Sequence, residues 1–243
     1  PNRLVGAALV VQLLALAAAN LFFLSSACSY DAGTTFSAAL EMWRQKTLLP
    51  ADFGFATSLL TDSPAPLAAL LFGLTGRFFP AYGAANLVIM AANLFCVRSI
   101  LRQLHGGTAS FLLAAVLLVT PYSPWQVGYS QCVVWGHACY SVRVLFLLVA
   151  LRAFLALQQQ TMTRAGLTWC MAGAAAVCVT AFSSGLFFAE QVLAPLLLVV
   201  AARAVWTGRL RRYVAQGGYL LLLCFLTLAS MAAAQVAAPD TAA

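Results

Sequence analysis

Charge is what this sequence has least of. Only 8% of its 243 residues are Asp, Glu, Lys or Arg, where a soluble domain carries roughly 25%. With 63% hydrophobic residues and a mean hydropathy of +0.92, the chain cannot cover a water-facing surface. That excludes an ordinary soluble globule and makes the bilayer its solvent. Strand-like alternation is absent too, and the apolar runs are long, so the expected spans are helices and not a barrel. Acids are the scarcer charge, six against thirteen Lys and Arg. The net charge of +7 does not point to nucleic acid, because the basic residues fall in small groups between apolar segments, as orientation signals do.

The motifs of soluble group-transfer enzymes are missing as well. There is no glycine-rich phosphate loop, no GxSxG and no HExxH, which argues against nucleotide-sugar chemistry of the soluble kind. The seven cysteines show no CxxC and no Cys/His ligand spacing. Most lie inside apolar runs, where thiols behave as small hydrophobes. Cys28, Cys132 and Cys139 leave a disulfide open. No tandem repeat is evident, and the alanine runs at 174–176 and 232–234 suit close helix packing. The chain starts on Pro1 and ends in a weakly polar tail, so the expectation is that either a terminus was processed or this is part of a longer protein, of which it would be the N-terminal core. Its first apolar run is long enough to span and has no clear cleavage site.

What is present reads as an all-α, polytopic membrane protein, one transmembrane domain over residues 1–243 with about seven spans. The spans are expected at 4–24, 82–101, 108–122, 137–157, 165–182, 186–205 and 214–234. A first external loop, 25–80, carries four of the six acids: Asp31, Glu41, Asp52 and Asp62. Within it, residues 34–46 have the pattern of a short amphipathic helix with Phe36, Leu40 and Trp43 on one face. Residues 66–79 have an apolar core too short to span and fit an interfacial or re-entrant helix. Charge supports that choice. If 66–79 does not cross, Arg3, Arg98, Arg102, Arg152, Arg164, Arg203, Arg209, Arg211 and Arg212 all fall on the inner side. The N-terminus is then cytoplasmic and the acidic loop external.

Candidate chemistry gathers at the outer side. Asp31 follows the first span closely. It could take a proton from an acceptor hydroxyl or hold a divalent cation, or it could simply start a helix. Glu41 stands three positions before Arg44, the spacing of an ordinary surface ion pair. Asp62 in TDSPAP could begin the next helix. Arg143 and Glu190 fall inside expected spans, where ionisable groups face a partner or a wet cavity. Together they would form an ion pair, and alone Arg143 would suit a phosphate. The loop 123–137 brings Trp125, Gln126, Tyr129, Gln131, Trp135 and His137 together. These could line a sugar-binding surface or form an aromatic belt. His137 has no second metal ligand nearby. Pro195 is the one clear break inside a span.

The order of these features resembles the GT-C superfamily of integral membrane glycosyltransferases, which includes the lipid A aminoarabinose transferases and the protein O-mannosyltransferases. Tyr30-Asp31 stands at the family's early acidic motif. Leu48-Leu49-Pro50 stands after its first surface helix. Ser63-Pro64-Ala65-Pro66-Leu67 resembles its Pro-Pro-Leu element, continued by Phe72-Gly73-Leu74 through Arg77. The resemblance covers roughly residues 4–157. Ala32 follows Asp31 where many members have a second acid, and the Asp-Pro often found after the third span is missing. The resemblance implies transfer of a sugar from a polyprenyl-phosphate carrier to a glycan, lipid or protein acceptor outside the cytoplasm, at a bacterial inner membrane. It implies Asp31 as base or cation ligand, assisted by Glu41 or Asp62. Arg143 would be a donor-phosphate contact, and the 123–137 loop would shape the acceptor side. The alternative from a different class is a non-catalytic scaffold, or a transporter or flippase subunit.

Overall fold

The computed structural model describes residues 2–26, 30–51, 53–55, 58–120, 134–135, 138–158, 163–208 and 210–238. Among them all regular structure is helical. The chain divides into two compact units. One comprises Pro1–Phe53 with Ser63–Leu145, the other Gly54–Asp62 with Phe146–Ala243.

The first unit holds α1 (Asn2–Phe22), α2 (Tyr30–Gln45), α3 (Ala65–Thr75), α4 (Phe78–Gln103), α5 (Thr108–Val119) and the start of α6 (Ser141–Ala156). Helices α1 and α4 run antiparallel, in a register fixed by buried amides. Asn86 Nδ2 donates to Asn20 Oδ1 at 2.9 Å, and Leu16 packs in one cluster with Met90, Val119 and Val134. Close approach makes this possible: a Cβ on Gly83 would overlap the Asn20 backbone carbonyl. In a bilayer, small residues and interhelical hydrogen bonds drive such association, because lipid is as apolar as leucine. From the amide pair, Arg3 on α1 and Gln103 on α4 lie equally far along their helices, about 25 Å at 1.5 Å per residue. Arg3, Arg98 and Arg102 thus gather at one end of the unit.

Helices α2 and α3 sit at the other end. Phe36 meets Tyr82 at 4.5 Å and Phe79 at 5.6 Å between ring centroids, and Trp43 meets Phe72 at 5.8 Å. The buried face of α2 is Ala32, Thr35, Phe36, Ala39 and Met42, joined by Ala38. Leu40, expected on that face, is 43% exposed. Alanines take its place because they let α2 lie close to its neighbours. Helix α3 has 11 residues, roughly 16 Å, about half a hydrocarbon core. Pro66 lies in its first turn and Gly76, at φ 65°, ends it. Its short length agrees with the non-crossing helix expected at 66–79.

The second unit packs the rest of α6 with α7 (Arg164–Ser184), α8 (Ala194–Thr207) and α9 (Leu210–Ala237). Its core includes Phe154, Val177, Phe188, Leu193, Leu220 and Leu223. Tyr219 Oη donates to the Cys170 carbonyl at 2.8 Å, above Gly173, where a Cβ would crowd that hydroxyl. Of the two alanine runs, the first packs through buried Ala176, whereas Ala232 and Ala233 are exposed. Pro195 lies inside the candidate span Ala189–Thr207, where a π turn over Ala189–Leu193 passes into α8. A proline there gives up an N–H with little loss.

Among the described residues five helices are long and apolar enough to cross a membrane: Asn2–Phe22, Phe78–Gln103, Arg164–Ser184, Ala189–Thr207 and Tyr213–Ala237. The third and fourth expected spans correspond to shorter helices, α5 with 12 residues and α6 with 16.

Gly83 and Gly218 provide a test of this packing. Gly83→Val forces a branched side chain against the α1 backbone and is expected to destabilise by about 2–3 kcal/mol or more. Gly218→Ala on α9 meets nothing within 4 Å and should be neutral or stabilising by up to about 1 kcal/mol. Thermal unfolding of the detergent-purified variants gives both numbers.

Candidate functional site

The short α5 creates the most unusual feature of the first unit. Gln12 Nε2 donates to Thr120 Oγ1 at 2.8 Å, so α5 ends level with the middle of α1. The next described residues lie at the same height. Trp135 Nε1 donates to the Val119 carbonyl, and Val134 packs with Leu16 and Met90. Asn93, fully buried in the middle of α4, donates from Nδ2 to the Ser141 carbonyl at 3.2 Å, where α6 begins. Two helix ends therefore meet a long helix pair halfway along its length. Their backbone groups are satisfied by side chains: Trp135 on Val119, Asn93 on Ser141, and Thr120 Oγ1 on the Val116 carbonyl at 2.7 Å.

Amides and hydroxyls line this midsection. Asn20, Asn86, Asn93 and Ser141 are all buried, and Gln12 and Thr120 are partly buried. Among the described residues, Gln12 Oε1, Asn93 Oδ1 and Ser141 Oγ have no hydrogen-bond partner. Buried polar atoms of this kind normally hold water or a ligand. Arg143 follows two residues later, half-buried, its guanidinium 5.1 Å from the centre of the Tyr140 ring. The midsection offers uncharged hydrogen-bonding groups, suited to hydroxyls or water, and a guanidinium of the kind that suits a phosphate stands two residues along α6 from Ser141.

The acids expected to carry chemistry are dispersed. Asp31 is exposed in the first turn of α2, where the helix dipole favours a carboxylate. Glu41, on the same helix, makes the expected surface pair with Arg44 at 3.5 Å and accepts from Gln45 Nε2 at 3.2 Å. Ten residues, about 15 Å of helix axis, separate these two carboxylates. Among the described residues no three His, Cys, Asp or Glu side chains come together. Asp31 would supply one carboxylate to a hard cation, whose remaining oxygens would come from backbone, water or substrate.

Asp62 belongs to the second unit and is fully buried. Ser183 Oγ donates to its Oδ1 at 2.6 Å and Ser184 Oγ to its Oδ2 at 2.8 Å. Nearby, the Leu59 N–H donates to the Ser183 carbonyl at 2.9 Å. Leu60, between them, takes a left-handed φ of 56°. The task expected of Asp62, starting α3, falls to Ser63, whose Oγ accepts from the Ala65 N–H at 3.2 Å. Ser183 and Ser184 close α7, and Gly185 at φ 62° caps it. Glu190 is exposed in the π turn of the second unit, while Arg143 belongs to the first. Cys139 is buried. Asp52, Cys28, Cys132, Trp125, Gln126, Tyr129, Gln131 and His137 lie outside the described residues.

Sequence reasoning passed over Gln12, Asn20, Asn86 and Asn93. The signal was available: four amides inside apolar segments, with Asn86 and Asn93 one heptad apart on one face of α4. Comparison with protein-family models, curated proteins and solved structures gives no match for the chain.

The Asp62 cluster predicts a structural phenotype. Asp62→Ala leaves two buried hydroxyls without their acceptor and is expected to destabilise by about 2–3 kcal/mol. Asp62→Asn keeps one acceptor and loses less. Thermal unfolding should rank the variants wild type, Asn, Ala, with Ser183→Ala close to Asn.

Proposed function

We propose that this chain is a membrane glycosyltransferase of the GT-C kind, or the N-terminal core of one, taking a sugar from a polyprenyl-phosphate carrier and adding it to a glycan, lipid or protein acceptor. In this reading the chain crosses a bacterial inner membrane seven times, with its N-terminus cytoplasmic. Helices α5 and α6 belong to the third and fourth passes. The observation that carries the reading is the polar midsection: two short helices end beside amides halfway along α1 and α4. Non-helical backbone at that depth is tolerated only where protein buries it or a wet cavity adjoins it. A lipid-linked sugar needs such a place, open to the membrane for its carrier and lined with hydrogen-bonding groups for its hydroxyls.

The residues take roles by their position. The Arg143 guanidinium, stacked on Tyr140, holds the donor phosphate and stabilises the charge left on it. Amides of the midsection orient the sugar. The acceptor oxygen attacks the anomeric carbon, the bond from that carbon to the phosphate oxygen breaks, and the phosphate leaves with the electron pair. Asp31, exposed at the end of the unit where α2 and α3 lie, is the proposed base, and the donor's sugar has to reach that end for Asp31 to take the acceptor's proton. Glu41, committed to Arg44 and Gln45, is the weaker candidate as base, and Asp62 contributes to folding. The loop bearing Trp125, Gln126, Tyr129 and His137 shapes the acceptor side.

A transporter or flippase subunit is the second reading. Helices interrupted at mid-height are also what transport sites use, and α5 supplies one.

Transfer of an isotope-labelled sugar from a polyprenyl-phosphate donor, with the protein in proteoliposomes, separates the two. Asp31→Asn is expected to lose about 10²–10⁴-fold in rate with an unchanged unfolding temperature, and full activity in that variant overturns the assignment of Asp31. Arg143→Ala should raise the donor KM by about tenfold or more. Donor translocation without transfer by the wild type would favour the transporter.

A further inference from the structure

At the arginine end of the first unit, a cavity of about 370 Å³ opens between the last turns of α4 and the first turn of α5. About a dozen waters would fill that volume at roughly 30 Å³ each, so a phosphate with its ester substituents fits. Arg98 and Arg102 line it together with Gly107, Thr108 and Phe111. The Arg98 guanidinium lies 5.5 Å from the Phe111 ring centre, a contact that holds its planar fork in place. The ion pair present among the described residues is Glu41–Arg44, on α2 at the opposite end. Neither cavity arginine therefore has a carboxylate partner among them. Gly107 at the N-cap of α5 provides no side-chain acceptor for the first N–H groups of that helix, so the wall opposite the arginines is also electropositive. Two guanidiniums, a hydroxyl and a helix start around one hollow are an anion site.

The surface below the cavity indicates where the anion comes from. Val88, Ala91, Phe95, Arg98 and Arg102 recur along α4 at the spacing of one helix face, and all are exposed. Val88 is 55% and Phe95 63% exposed. An apolar strip thus leads straight to the two charges. A free phosphate has no use for such a strip, whereas a lipid lays its chain along it.

We propose that this cavity binds the phosphate of an anionic lipid headgroup, with the acyl chain along the Val88–Phe95 face of α4. The site lies at the opposite end of the first unit from α2 and stands independently of glycosyl transfer. Basic pockets between membrane helices are known places for such headgroups.

Native mass spectrometry of the full chain in neutral detergent tests the proposal, with dioleoyl phosphatidylglycerol, dioleoyl phosphatidylcholine and inorganic phosphate as probes. Phosphatidylglycerol adducts should exceed phosphatidylcholine adducts by about tenfold, the factor that 1.4 kcal/mol of differential binding gives. Arg98→Ala and Arg102→Ala should each remove most of that excess. Arg98→Lys should restore little of it, since an ammonium keeps the charge but loses the fork. Arg203→Ala, an exposed arginine on α8, removes the same charge and should change nothing. Equal losses in all three alanine variants would mean general electrostatics and overturn the site. Displacement of the lipid by millimolar inorganic phosphate, with phosphate adducts retained in its place, would overturn the lipid as the ligand. Circular dichroism of each variant checks the fold, and because both arginines are exposed, loss of structure is not expected.

Discussion

A carbonyl or N–H that leaves a helix inside hydrocarbon has no water to turn to, and much of the first unit answers that constraint. Helix α5 stops after 12 residues, level with the middle of α1. The groups freed there are met by side chains from elsewhere: the Trp135 indole on Val119 and the Asn93 amide on Ser141. These partners fix the path of the chain in an otherwise featureless apolar bundle. Dispersion alone would let leucine- and alanine-rich helices slide, since neighbouring registers bury similar surfaces. Hydrogen bonds between amides at Asn20 and Asn86, and between Gln12 and Thr120, do not survive a shift of one turn. The same polar groups that make an interrupted helix tolerable also set the alignment of α1, α4 and α5.

Much of the helical layout was legible because hydropathy and charge report directly on it. The five long apolar helices fall where apolar runs of spanning length predict them, and the sparse Pro and Gly around α3 mark a helix too short to cross. Other features were not legible, for physical reasons that can be named. Apolar sequence continues to Tyr122, but α5 ends at Val119 and Thr120 is extended at φ −68° and ψ 128°, as the residue before a proline is biased to be; hydropathy alone does not show that stop. The buried face of α2 was misread at Leu40: periodicity draws attention to large side chains, while close packing is achieved by Ala32, Ala38 and Ala39. The partners of Asp62 lie 121 and 122 residues away. No local pattern carries that pairing, and TDSPAP remains a good helix-start sequence whichever residue does the capping.

The candidate site was half legible. Asp31 and Arg143 draw attention as candidates by type and position, since ionisable residues stand out in a chain with so few. The amides around the midsection do not, because a lone Asn in an apolar run is as easily a packing contact as a ligand. Only their convergence distinguishes the two. Asn93 and Ser141 are 48 residues apart and Gln12 and Thr120 are 108 apart, yet all four lie at one height.

That geometry also ranks the acids. A general base must reach a mobile acceptor, release its proton afterwards and exist without a standing partner strong enough to hold it. Asp62 fails the first condition, because it is fully buried and both of its oxygens already accept from serines. Glu41 reaches solvent but shares its oxygens with Arg44 and Gln45. Asp31 is exposed in the first turn of a helix whose far side is anchored on Tyr82 and Phe79 through Phe36. A rigid helix holds it in place. The arginines show the complementary logic. Arg44 is paired with a carboxylate, whereas Arg98 and Arg102 face a hollow with no carboxylate from the described residues beside them. The described acids of the first unit are held on α2, and in a membrane the nearest abundant anion for the arginine end is a lipid phosphate.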